Sequence, residues 1–123
     1  MNDIIITSTP EKEYLLIEAK GTITTREELL QRSQKIFAEV GKYNYQKILI
    51  NQPETHFPPD LFPYFDLVKG YENFPESLRQ LKVAIVISDE YKEVGDSWAA
   101  LCMSRGLNFN SFTIFEEAVF WLV

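Results

Sequence analysis

One cysteine stands in 123 residues, so no disulfide forms within the chain. With no basic leader before the short apolar start at Ile4-Ile5-Ile6, the expected compartment is a reducing cytoplasm. The single histidine, His56, rules out zinc sites that need His in pairs. The five glycines are isolated, so there is no glycine-rich phosphate loop. Basic residues are outnumbered, 12 against 18, and the net charge of −6 argues against a nucleic-acid partner. Long apolar runs are missing too. The longest, 83–87 and 118–123, fall far short of the ~20 residues of a spanning helix. There is no linker, repeat or low-complexity block, so residues 1–123 read as a single domain.

What is present is an alternation of short strands and amphipathic helices. Residues 4–7 and 14–19 read as two strands close enough to pair antiparallel. Thr25-Arg26-Glu27-Glu28 has capping-box spacing. Behind it, Leu29, Leu30, Ser33, Ile36, Phe37 and Val40 recur at helical spacing up to Gly41. Residues 47–50 form a strand. Three prolines between Asn51 and Asp60 forbid its continuation. Asp60 caps an expected second helix over 61–70, with Leu61, Phe62, Phe65 and Val68 toward the sheet. Residues 83–87 lack alternation, which predicts a central strand covered on both faces. A helix over 91–105, a strand over 110–114 and a short helix over 115–122 complete the chain. The order β-β-α-β-α-β-α-β-α predicts an α/β fold with a mixed, mostly parallel sheet covered by about four helices.

Several features resemble the sulfate-transporter/anti-sigma-factor-antagonist (STAS) domain, and more closely its bacterial SpoIIAA-like relatives. They are the strand ending Gly21-Thr22-Ile23-Thr24, the strand 83–87 followed by a helix, and the ending Phe115-Glu116-Glu117-Ala118-Val119-Phe120-Trp121-Leu122. The resemblance spans nearly the whole chain. It implies STAS-like topology and a small non-enzymatic domain that binds a partner or ligand. In the regulatory members, the strand matching 48–50 leads into an Asp-Ser pair whose Ser is phosphorylated. Here it leads into Asn51-Gln52-Pro53-Glu54-Thr55-His56, with Thr55 the sole hydroxyl and out of register. The phosphorylation switch is therefore not carried over.

Catalytic readings fare less well than structural ones. His56 suits a general base beyond a strand's carboxyl end, but reads first as a surface loop residue. Gly95-Asp96-Ser97 is like the opening of some serine hydrolases, yet it falls in a helix pattern with the only His upstream. Cys102 lies among apolar neighbours and reads as a buried thiol. Asp89, Glu90, Glu93 and Asp96 read as a solvated helix start rather than a cation site. No cofactor or metal is expected.

The 14% aromatic share is uneven. Phe57, Phe62, Tyr64, Phe65, Tyr71 and Phe74 crowd into 57–74. Successive helical residues are ~100° apart, so Phe62, Tyr64 and Phe65 cannot share one narrow stripe. Some must face solvent, a cleft or another chain. The leading expectation is a non-catalytic interaction module, self-associating or binding a protein partner through 54–71. Its expected contact residues are Thr55, His56, Phe57, Phe62, Tyr64, Phe65 and Tyr71. The alternative is a carrier or sensor of an apolar small molecule or lipid, held between the second helix and the sheet. A hydrolase built on Ser97 or Thr55 with His56 comes third. Asp66, Glu72 and Glu76 disfavour membrane contact, and Lys69 offsets them in part.

Overall fold

The computed structural model describes residues 4–57 and 76–123, and the expected helix over 61–70 lies outside them. The core is a mixed sheet. Strand β1 (Ile5–Pro10) runs antiparallel to β2 (Leu15–Thr22). Strands β3 (Lys47–Gln52), β5 (Lys82–Ile87) and β6 (Asn108–Phe112) extend it in the order β1-β2-β3-β5-β6, each new pair parallel. A two-residue strand, β4 (Thr55–His56), pairs parallel with Gly21 and Thr22 at the end of β2. This is the expected α/β architecture with STAS-like connectivity.

Side-chain alternation assigns the two faces. Leu15, Ile17, Ile48, Ile50, Val83, Ile85, Ile87 and Phe109 pack on one side, with Ile36 and Val40 from α1 (Arg26–Val40) and Cys102 from α3 (Lys92–Ser104). Leu49, Ala84 and Val86 point to the other side, under Ala118 and Leu122 of α4 (Phe115–Leu122). Both faces of β3 and β5 are therefore dry, which is why their sequences show no polar alternation. The helices among the described residues are these three and one turn, α2 (Glu76–Arg79).

Local chemistry explains the element ends. Thr25 caps α1: its hydroxyl accepts from the Glu28 N–H at 3.1 Å, and the Glu28 carboxylate accepts from the Thr25 N–H at 3.1 Å. Pro10 is tolerated because β1 is an edge strand. Gly106, at φ +80°, turns the chain out of α3 in a conformation that side chains with a Cβ disfavour. Strand β6 starts two residues earlier than the sequence suggests. The reason is Phe109, which is buried and stacks on Trp98 of α3 with ring centroids 5.9 Å apart. That contact fixes the strand's register.

Candidate functional site

The parallel strands β2, β3 and β5 end together, and the candidate residues collect at that carboxyl edge. β3 stops at Gln52, and Pro53-Glu54 interrupt the ladder with one extra residue, from Glu18 opposite Asn51 to Gly21 opposite Thr55, before Thr55 and His56 resume parallel pairing with β2. The ladder continues past β2, with the Ile23 N–H donating to the His56 carbonyl at 2.7 Å. Alternation then sends Thr55 inward and His56 outward. Thr55 is 1% exposed, and its hydroxyl donates to the Ala19 carbonyl at 2.9 Å. His56 is exposed.

Phe57 follows and is held on three sides. Its N–H donates to the Tyr91 hydroxyl at 3.1 Å. Its ring meets the Tyr91 ring edge-on, at 5.1 Å and 85°. The Arg32 guanidinium carbon lies 5.7 Å from the ring centroid. Arg32 is only 7% exposed, and a desolvated cation over an aromatic face contributes about 2 kcal/mol. Tyr91 ends the 3-10 turn Asp89–Tyr91 ahead of α3, so the edge joins α1, β4 and the start of α3.

Of the expected contact residues, Thr55, His56 and Phe57 are thus consecutive at one edge. Phe62, Tyr64, Phe65 and Tyr71 lie outside the described residues. Reading the sequence missed Arg32, Tyr91 and the buried Gln52. Arg32 carried a signal, since it sits four and eight residues before the buried Ile36 and Val40, on their helical face.

The remaining candidates occupy structural positions. Ser97 is inside α3, not on a turn leaving a strand as the hydrolase arrangement needs. Gly95 is where α3 approaches the sheet, against Ile87 and Ser111. Asp96 accepts from Lys92 Nζ at 2.9 Å on exposed helix surface, which holds the Lys92 ammonium above its usual pKa. No group of three or more His, Cys, Asp or Glu among the described residues is placed to hold a metal. No helix among them is long and apolar enough to cross a membrane.

Cys102 is fully buried, and burial pushes its thiol up to about 12. The thiolate is the reactive form, so the folded chain should resist thiol reagents at neutral pH. Labelling is expected only after denaturation. Stoichiometric labelling of folded protein at the rate of a free thiol would contradict this burial.

No protein-family model and no curated protein sequence matches the chain. Solved structures do. One is an uncharacterized protein of the DUF3478 family with a SpoIIAA-like fold, from Shewanella loihica PV-4. It is 21% identical, with a TM-score of 0.57 over 100% of this chain and 96% of that one. Another is an anti-sigma factor antagonist from Mycobacterium paratuberculosis. It is 11% identical, with a TM-score of 0.64 over 98% of this chain and 94% of that one. Through its strand order, helix placement and end-to-end superposition, the chain has the SpoIIAA-like, STAS-like fold.

Proposed function

We propose that the chain is a non-catalytic regulatory domain that contacts a protein partner through the carboxyl edge of its sheet. The contact would use His56 and Phe57 together with the aromatic residues Phe62, Tyr64, Phe65 and Tyr71. The observation that carries this reading is the anchoring of Phe57 between Tyr91 and Arg32. It holds the Phe57 ring in one place, and so lowers the entropy lost when a partner engages that ring. Each aromatic ring buried at an interface removes ~150–250 Å² from water, so three would contribute several kcal/mol at about 25 cal/mol per Å² before association costs.

Two further observations support it. One structural neighbour is by name an antagonist of an anti-sigma factor, which favours a protein partner here. The Thr55 hydroxyl, the sole one between Asn51 and Phe57, is buried and already bonded. Control by phosphorylation at this edge is therefore not part of the reading. The lone buried thiol suits a reducing cytoplasm.

The test is a double substitution, Tyr64→Ser with Phe65→Ser, compared with wild type after isolation of each from its host. Loss of the co-isolated partner with a smaller loss of folding stability is expected. A folded double variant that retains the same partner in the same amount would overturn the proposal.

A further inference from the structure

The second face of the sheet carries a surface that the binding edge does not use. α4 lies there with Ala118 and Leu122 buried, and its outer side is uncovered among the described residues. Phe120 is 88% exposed, the highest value for a large apolar side chain among them. Glu116, Phe120 and Val123 share that outer side at helical spacing. Val123 at its end and Ile114 just before its start are exposed too.

The two ends of α4 differ in charge. The acidic end is Glu116 and Glu117, both exposed in the first turn. The basic end is Lys47 and Lys82, the first residues of β3 and β5. Lys47 Nζ donates to the Val123 carbonyl at 3.4 Å and Lys82 Nζ to the Trp121 carbonyl at 2.8 Å. The Lys82 ammonium also lies 4.6 Å from the Trp121 ring centroid. An ammonium has three N–H donors, so each lysine keeps donors for a partner. Acid at the first turn of α4 and base against its last carbonyls thus flank the exposed Phe on a helix about 12 Å long.

Such a surface is complementary to itself. A two-fold axis perpendicular to α4 at Phe120 brings the acidic end of one copy onto the basic end of the other. It also packs Phe120 against its mate and sets the two helix dipoles antiparallel. We propose that a second copy of this chain docks on α4 in this antiparallel arrangement. Self-association, expected from the sequence at 54–71, would then occur through α4 instead. The inference stands independently of the proposed partner function. An eight-residue helix offers less than the ~800 Å² per partner of a standard interface, so the dimer should be weak and concentration-dependent.

Sedimentation velocity from about 10 μM to about 1 mM tests it, since weak self-association falls in that range. The exposed substitution Phe120→Ser should raise the dimer dissociation constant at least ~10-fold, the change expected for one central anchor. A chain with Glu116→Lys and Glu117→Lys has two basic ends, and a chain with Lys47→Glu and Lys82→Glu is acidic where it was basic. Each should be monomeric alone, and an equimolar mixture of the two should form a dimer. Circular dichroism checks that all variants are folded. A wild-type chain that stays monomeric throughout the range overturns the proposal, whatever other molecule takes up the patch. So does a dimer that survives Phe120→Ser, or a pair of folded charge variants that fails to combine.

Discussion

Thr55→Asp should lose about 3–5 kcal/mol of stability, the scale set by an uncompensated buried charge. Thr55→Ser should stay within about 0.5 kcal/mol of wild type, like a substitution that keeps the interaction in place. The side chain is 1% exposed, and the hydroxyl it carries is a donor to the Ala19 carbonyl. An ionised carboxylate cannot donate, so two acceptors would face each other away from water. Burial keeps the Asp carboxyl neutral to a higher pH than usual, and the neutral form restores a donor, so part of the loss should return as the pH falls toward the ordinary carboxylate range, with no further gain below it. With domain stabilities of about 5–15 kcal/mol, the loss at neutral pH is a large share of the total. Urea unfolding of the two variants checks it. The consequence for function is direct: a phosphate on Thr55 would require β4 to leave β2. A Thr55→Asp chain as stable as wild type would return a modification switch to this edge.

Gly95→Leu should prevent α3 from seating on the sheet, a loss of about 3 kcal/mol or more. Even the first added atom, a Cβ, would collide with Ile87 Cδ1 and Ser111 Oγ. Ile87 is itself buried in the core, so its side chain has few other places to go. Gly95→Ala is the subtler case. Alanine gains about 1 kcal/mol of helix propensity over glycine, while overpacking costs about 1–3 kcal/mol. A small net loss is expected, and removing the Ser111 hydroxyl in a Gly95→Ala, Ser111→Ala double variant should recover part of it. Thermal unfolding of the three variants gives the order. If Gly95→Leu unfolds at the wild-type temperature, the close approach of α3 is not as described.

These two positions show why some of the fold was legible in the sequence and some was not. The α1 start was legible because Thr25 and Glu28 act on each other within one turn. β3 and β5 were legible because burial on both faces leaves an unbroken apolar run. β4 was hidden. Its pairing with Gly21 and Thr22 resumes β3's ladder after a one-residue shift at Pro53-Glu54, a contact across more than thirty residues that no local pattern encodes. The same holds for Tyr91, whose hydroxyl meets Phe57 only after the 3-10 turn brings it to the edge. Arg32 was obscured by its charge, though its register was that of a buried residue. Gly95 read as part of a possible catalytic triplet, and its actual role, close packing, became visible only with Ser111 beside it.

The reading proposed above has this domain binding another protein at the carboxyl edge of its sheet. Native mass spectrometry of the chain isolated from its own host tests that most directly. The expected species is heavier than one or two copies of the chain by the mass of a protein partner, and is missing when Tyr64 and Phe65 are both replaced by Ser. Copies of the chain alone, or copies carrying only an apolar small molecule, would contradict it.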